Sequence, residues 1–334
     1  MAVLITGGAG YIGSTVASAC LDAGIVPIVL DDFSTGAREF VDGRISYEGD
    51  VADRALLETI LDAHPDVEAV IHCAARIVVP ESVADPLGYY DANVGKTISM
   101  LRVLAERGID RVVFSSSAAI YAADDALGID EAGLLAPQSP YARTKAIVEQ
   151  MLADAAAAGQ LRALALRYFN PIGADPTGRT GMPSPAPSHA LGRIIAAYDA
   201  GAPFTLTGVD WPTRDGSGLR DFIHVWDLAR AHVKAVQRFD AIVTPEAPFL
   251  ALNVGGGEGT TVRELIAAFT DVTGAELEVV EGPRRPGDVA GAYAVVARAH
   301  DLLNWRAELT VRDGIRDALA WSQYWTTRPD SQEN

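Results

Sequence analysis

Apolar residues in the first half of the chain fall in short β-branched runs, separated by longer stretches with helical spacing. Runs at 2–6, 27–31, 44–48, 69–73, 111–115 and 162–168 predict strands, and the stretches 11–22, 54–63, 86–107 and 141–157 predict helices between them. Near-continuous apolar strands joined by helices imply parallel neighbours covered on both faces. The expected fold is therefore α/β, a doubly wound parallel sheet. Ligands on such sheets sit beyond the carboxyl ends of the strands. After Asn170 the texture changes. Residues 171–187 are rich in Pro, Gly and Ser and read as a long irregular segment, usually functional in a compact protein. A helix from about 224 to 239 and an apolar run at 250–254 follow, then shorter pieces to Trp325 and a polar tail at 327–334. These shifts predict one unit from 1–170, with about 221–256 returning to it, and a smaller mixed α/β unit from 171–220 and 257–326.

Composition narrows the function. Apolar residues are 49% and charged residues 21% of the 334, enough for a packed core and against disorder. A net charge of −17 opposes nucleic-acid binding, because phosphate backbones recruit basic surfaces. A small anionic ligand would then need a few Arg or Lys gathered locally. Cys20 and Cys73 offer neither a disulfide framework nor metal-ligand spacing, and the six histidines at 64, 72, 189, 224, 232 and 300 form no zinc-like cluster. No metal is expected. No apolar stretch reaches ~18 residues, so no membrane span is expected. The first strand begins at residue 2 and leaves no room for a signal peptide, so a cytoplasmic protein is expected.

Between the first strand and the first helix lies Thr6-Gly7-Gly8-Ala9-Gly10-Tyr11-Ile12-Gly13. Glycines there let the backbone turn tightly and approach a pyrophosphate, which rests on free N–H groups at the helix start. The spacing reads either as Gly8/Gly10/Gly13 or as Gly7/Gly10/Gly13. The second strand ends in Asp31-Asp32, where a carboxylate accepts from both hydroxyls of a ribose and repels a 2′-phosphate, favouring NAD over NADP. Asp50, followed by Val51, closes the third strand. It is placed either to reach an adenine amino group or to cap the helix 54–63.

The fifth strand ends in Ser115-Ser116-Ser117, and Tyr141-Ala142-Arg143-Thr144-Lys145 opens the next helix, placing Tyr141 and Lys145 on one face. A free Tyr, with a pKa of ~10, is a poor base near neutrality. A nearby ammonium and an oxidised nicotinamide ring would lower that value, and a drop of ~3 units corresponds to ~4 kcal/mol. Ser117 would hydrogen-bond the same substrate oxygen. No Ser nucleophile elbow is present.

With these motifs the chain resembles the extended short-chain dehydrogenases/reductases, and within them the UDP-glucose (UDP-galactose) 4-epimerase family. The resemblance spans Val3 to about Trp325. Its carriers are TGGAGYIGS at 6–14, PES at 80–82, SSSAAIY at 115–121, SPYARTK at 139–145, RYFNPIGADP at 167–176, DGSGLRDFIHVWDLA at 215–229, RRPGD at 284–288 and LNW at 303–305. It implies a Rossmann-type domain holding NAD and a smaller domain holding a UDP-sugar. It implies Tyr141 as base, Ser117 as its partner and Lys145 on the nicotinamide ribose. Gly7, Gly10, Tyr11, Ile12, Gly13, Asp31, Asp32, Asp50, Val51, Ala74, Asn93, Ser115, Tyr168 and Pro171 would line the cofactor. Asn170, Ser188, His189, Arg220, Arg285, Asp288 and Ala292, with Ser117 and Tyr141, would hold the substrate. Guanidinium groups suit a pyrophosphate, and a carboxylate suits ribose hydroxyls.

Two positions depart from the pattern. Ile77, with Arg76 beside it, stands where family members often carry a Lys, and Ser188-His189-Ala190 where two Asn often precede a Leu. Ala292 holds a position whose bulk varies with sugar specificity, so a small residue there predicts room for a 2-acetamido group. The implied activity is NAD-dependent C4 epimerisation of a UDP-hexose through a 4-keto sugar, in a homodimer packed through 86–107 and 141–157. Other readings are an epimerase of another UDP-sugar, a nucleotide-sugar 4,6-dehydratase and a non-catalytic NAD sensor. The dehydratase needs an Asp-Glu pair after the strand-five Ser, where Ala118-Ala119 stand.

Overall fold

The structure, a computed structural model, describes residues 1–122, 127–183, 189–284 and 289–328. Seven parallel strands form the main sheet in the order Phe249–Val254, Arg162–Tyr168, Arg111–Ser115, Val67–His72, Ala2–Thr6, Val26–Asp31, Ile45–Glu48. Chain order reverses at the first strand, which pairs with the second on one side and the fourth on the other, opening a crevice at their carboxyl ends. The first strand is buried throughout, and the fourth and fifth are buried apart from Glu68 and Arg111 near their amino ends, as their apolar runs require. One face packs Val3, Ile5 and Val29 against the helices Tyr11–Asp22 and Val225–Gln237. The other packs Leu4, Leu30 and Val70 against the helices Arg54–Ala63, Lys96–Glu106 and Pro140–Ala157.

The expected helix over 86–107 is three pieces: Pro86–Tyr90, a π-turn at Asp91–Gly95 and the helix Lys96–Glu106. A separate short helix, Val79–Ala84, precedes them. Apolar spacing continues through the π-turn, so periodicity alone does not mark it. The buried Asn93 lies in that turn.

The smaller part has its own sheet, in the order Thr260–Thr261, Leu219–Arg220, Gly291–Ala294, Gly128–Ile129. Its core collects Leu191, Ile194, Phe204, Leu206, Leu265, Phe269 and Ile315. Two features depart from the expected division. Gly128–Ile129 pairs with Tyr293 and Ala294 in the small sheet, although it lies within 1–170. Asn170–Ile172, whose last two residues read as the start of the irregular segment 171–187, is a strand paired with Phe222–His224. A three-residue strand containing Pro171 has too few positions to show alternation, so only its partner reveals it. The final helix, Val311–Thr327, bridges both parts. Ile315 enters the small core, and Trp321 packs on Ala37, Phe40 and Ala174. Among the described residues no helix is long and apolar enough to cross a membrane.

Candidate active site

The glycine turn is sterically exacting at three of its positions. Gly7 has φ of +68°, its N–H donates to Leu30, and a Cβ on it would lie 2.6 Å from the Ala74 nitrogen. A Cβ on Gly13 would lie 2.1 Å from the Gly7 carbonyl oxygen, so no side chain fits there. Gly8 is equally confined, since a Cβ there would lie 2.7 Å from Val29 Cγ1. Gly10 differs in kind, since a Cβ there would meet only the Gly7 oxygen, at 3.4 Å. The protein does not itself need that glycine. Gly10 is the N-cap of Tyr11–Asp22 and supplies no side-chain cap, so an open surface faces the free N–H groups of a twelve-residue helix. A pyrophosphate fits that cradle. Ile12 is partly buried in the first turn, and the Tyr11 hydroxyl donates to the Gly173 carbonyl at 2.7 Å, tying the turn to the strand that carries Asn170 and Pro171.

Asp31 is buried and accepts from Ala9 N and Phe33 N, each at 2.8 Å. Burial raises its pKa, with those two N–H groups opposing. Asp32 is exposed and takes the Ser34 N–H and hydroxyl. Both carboxylates therefore organise the loop beyond the second strand. Asp50 is not the helix cap; Asp53 is, accepting from Leu56 N. Asp50 accepts from Ala52 N and from Lys96 Nζ, and it lies beside the buried Val51. Asn93 spends its amide on the protein, accepting from Arg76 N and donating to the Arg76 carbonyl and to Thr144 Oγ1. It thus ties the Ala74–Arg76 segment to the helix carrying Tyr141. Ile77 is 60% exposed, and Arg76 turns to Asp85 and the Tyr89 ring, so neither replaces a lysine directed at the cofactor.

At the carboxyl end of the fifth strand, Ser117, Tyr141 and Lys145 are 9%, 7% and 2% exposed, and the Ser117 hydroxyl hydrogen-bonds Tyr141. The expected depression of the Tyr141 pKa is absent from the protein by itself: burial raises it, and the Ser117 hydrogen bond only partly opposes. On the same helix face, the Lys145 ammonium donates to the Ser115 carbonyl at 2.8 Å and lies 4.9 Å from the Phe114 ring centre. Burial pulls Lys145 down to about 8. Tyr168 is buried nearby, and burial holds its phenol well above the usual range.

Beneath this group two histidines are locked as neutral scaffold. His232 Nδ1–H donates to the Leu228 carbonyl, so its Nε2 accepts from Ser115 Oγ, which accepts in turn from the Cys73 thiol. His72 lies between Thr6 and Thr97, whose own hydroxyl donates to the Asn93 carbonyl. Composition concealed these roles, because a histidine's partner comes from distant strands.

On the substrate side, Asn170 N–H donates to the Asp221 carbonyl, and Arg220 pairs across the small sheet with Ala292. Arg220 Nη1 donates to the Leu219 carbonyl at 2.6 Å. Asp221, which sequence reasoning missed, accepts N–H groups from Gly256, Gly257 and Ala294; burial raises it to about 6 against those bonds. It fixes Arg220 and Ala292 relative to the loop after the last sheet strand. His189 caps the helix Ala190–Asp199 through Nδ1, which accepts from Gly192 N, while its Nε2 is buried with no partner among the described residues. Ser188, Arg285 and Asp288 lie outside the described residues. Glu149 and Arg167, also missed, form a buried ion pair behind the serine run.

A glycine turn heading a parallel sheet, with Ser, Tyr and Lys at the next strand and helix ends, defines a nicotinamide-dependent enzyme of the short-chain dehydrogenase type. The chain belongs to the NAD dependent epimerase/dehydratase family, whose model matches residues 3–255. It is 42% identical to a UDP-glucose 4-epimerase of Azospirillum brasilense, over 96% of this chain and 92% of the relative. The crystal structure of UDP-glucose-4-epimerase from Stenotrophomonas maltophila, with bound NAD and formylated UDP-arabinopyranose, superposes with a TM-score of 0.93 at 36% identity, over 98% of this chain and 99% of that one. UDP-glucose 4-epimerase from Brucella ovis in complex with NAD gives 0.90 at 39%, over 96% and 98%.

Proposed function

We infer that this protein is an NAD-dependent isomerase that inverts C4 of a UDP-hexose, interconverting UDP-glucose and UDP-galactose through a 4-keto sugar. The observation that carries the reading is the dry cluster of Tyr141, Ser117 and Lys145 at the end of the fifth strand, near the switch point of the main sheet. Tyr141 takes the C4 hydroxyl proton and returns it, while Ser117 hydrogen-bonds the same oxygen and holds it still. Lys145, anchored by the Ser115 carbonyl, places a positive charge beside the reaction group. When bound, NAD accepts and returns the C4 hydride and adds the positive ring that favours the phenolate.

The keto sugar must present both faces to one hydride carrier. Grip therefore belongs on the nucleotide and freedom at the hexose, with binding energy remote from the reacting carbon. Asn170, His189 and Arg220 are assigned to that grip, with Ser188, Arg285 and Asp288 from the family pattern. The cofactor residues carried over from the family belong to the same proposal. So do the homodimer, which rests on the resemblance, and the cytoplasmic setting expected from the sequence. The division into a cofactor part and a substrate part is supported by Phe249–Val254, which joins the main sheet beside Arg162–Tyr168.

The test is turnover of UDP-galactose by purified protein without added NAD, followed by NMR at C4. Tyr141→Phe is expected to lower kcat by about 10²–10⁴-fold while UDP affinity stays near wild type. Undiminished turnover in that variant would remove Tyr141 as the base.

A further inference from the structure

Tyr141, Lys145 and Glu149 stand four residues apart on the helix Pro140–Ala157 and share one face. The first two belong to the reaction group. Glu149 has no assigned part, yet it is only 4% exposed and its carboxylate is fully engaged. Arg167, on the strand Arg162–Tyr168, donates through Nη2 to Oε2 at 2.7 Å and through Nε to Oε1 at 3.0 Å. The Ser116 hydroxyl donates to Oε1 as well. Ser116 sits between the two residues that meet the reaction group: Ser115, whose carbonyl takes the Lys145 ammonium, and Ser117, which bonds Tyr141. On its far side Arg167 Nη1 donates to Tyr121 Oη at 2.9 Å and to the Glu131 carbonyl at 3.2 Å. The Tyr121 hydroxyl donates to Asn253 Oδ1 at 2.6 Å, on the edge strand Phe249–Val254.

A buried ion pair is a poor stabiliser, since removing two charges from water offsets most of their attraction and an apolar pair of equal volume packs as well. Its value here lies in what it touches. We propose that Glu149 and Arg167 are a positioning pair for the reaction group: the carboxylate anchors the Ser115–Ser117 strand end through Ser116 and sets the charge environment of Lys145, while the guanidinium holds the carboxylate in place. The proposal rests on the reading of Tyr141 and Lys145 as the reaction group.

The surroundings of Lys145 single out Glu149. From the fourth strand's end come His72 and Cys73; from the fifth, the Phe114 ring and the Ser115 carbonyl, with His232 behind Ser115. Its own helix contributes Tyr141 and Glu149. Burial pushes the Cys73 thiol up to about 11 and pulls His72 and His232 down to about 3 and 4, leaving all three neutral at working pH. Burial also pulls Lys145 down; Cys73 and Glu149 oppose, Cys73 as a thiol that burial pushes up and Glu149 as the carboxylate of the ion pair with Arg167. Removing its charge exposes Lys145 to the uncompensated Arg167, whereas removing the Arg167 charge leaves a bare carboxylate nearby. The two changes must move Lys145 in opposite directions.

The experiment uses the NAD-loaded enzyme and compares Glu149→Gln, Arg167→Met and Ser116→Ala. Glu149→Gln should shift the alkaline limb of the kcat–pH profile down by roughly one pH unit and Arg167→Met should shift it up, with KM for the UDP-sugar unchanged. Lysine-labelled NMR should report the same opposed shifts for the Lys145 ammonium, independently of turnover. That separates failure of this proposal from failure of the epimerase reading. Ser116→Ala leaves both charges in place; it should lower kcat on the order of ten-fold with neither KM nor the limb moved. Limbs that stay put or move together in the two charge variants would overturn the electrostatic role. Wild-type kcat in Ser116→Ala would overturn the anchoring role. Should either charge variant fail to fold, the other still has a required direction of shift, and its absence counts against the pair.

Discussion

His189 shows how one hydrogen bond assigns a chemical role. Its Nδ1 accepts from Gly192 N at 3.1 Å, so a neutral ring carries its proton on Nε2. Burial pulls the ring down to about 4, which keeps it neutral at working pH. Nε2–H is then a buried donor with no partner among the described residues, a cost of about 1–3 kcal/mol that a ligand acceptor would offset. His189→Ala is expected to raise KM for the UDP-sugar about ten-fold at near-constant kcat, and His189→Gln, which keeps an N–H, to recover part of the loss. An unchanged KM in the alanine variant would take His189 out of the substrate path. The sequence could show that a histidine stands where the family carries Asn. It could not show which nitrogen is free, because the cap forms only once the helix Ala190–Asp199 is in place.

Among elements, the most exacting are those whose partners are distant in sequence. The first strand, glycine turn and first helix are contiguous, and the positive φ of Gly7 and the steric demand at Gly13 are local, so the turn could be read directly, whereas the close approach of Gly7 to Ala74 could not. The small sheet is different. Leu219–Arg220 lies parallel to Gly291–Ala294 in a register that sets Arg220 opposite Ala292, and Asp221 locks that register through Ala294 N at 2.9 Å. Two-residue and four-residue strands have no period to detect. The pairing nevertheless decides that the side chain at 292 stands beside a residue assigned to the substrate. Ala292→Tyr is therefore expected to abolish turnover of N-acetylated UDP-sugars while sparing UDP-glucose, as competing-substrate assays would show. Equal loss on both sugars would refute the size argument. The helix over 86–107 was legible as helix, but its break at Asp91–Gly95 was not. The break places Asn93 where it meets Arg76 and Thr144, contacts set by tertiary packing.

For the whole molecule, buried histidines make stability depend on pH. His72, His189 and His232 are held at about 3, 4 and 4 by burial, against ~6.5 in the unfolded chain. The unfolded state therefore binds more protons below ~6.5. Stability is fully present above that pH and is lost as pH falls toward 4. Asp221 acts in the opposite sense: raised to about 6, it binds its proton before the unfolded chain does and favours the fold between about 6 and 4. Asp31 and Asp227, also raised by burial, act with Asp221, while His224, pulled down by burial, acts with the other histidines; the histidine shifts leave a net decline. Denaturant unfolding between pH 7 and 4 should show stability falling, and His232→Gln should flatten the slope. A slope unchanged by that substitution would mean His232 is not a major source of the decline.

By itself the sequence determined the parallel α/β architecture, the dinucleotide turn and the Tyr141–Lys145 face. These follow from chain-local physics: strand and helix periods, glycine sterics and four-residue helical spacing. Tertiary structure alone decided that the Tyr141 phenol is buried and that Asp53 rather than Asp50 caps its helix. It also decided that Glu149 and Arg167 meet behind the serine run. Charge and solvation at a site depend on what other segments bring within a few ångströms, and a linear pattern does not contain those distances.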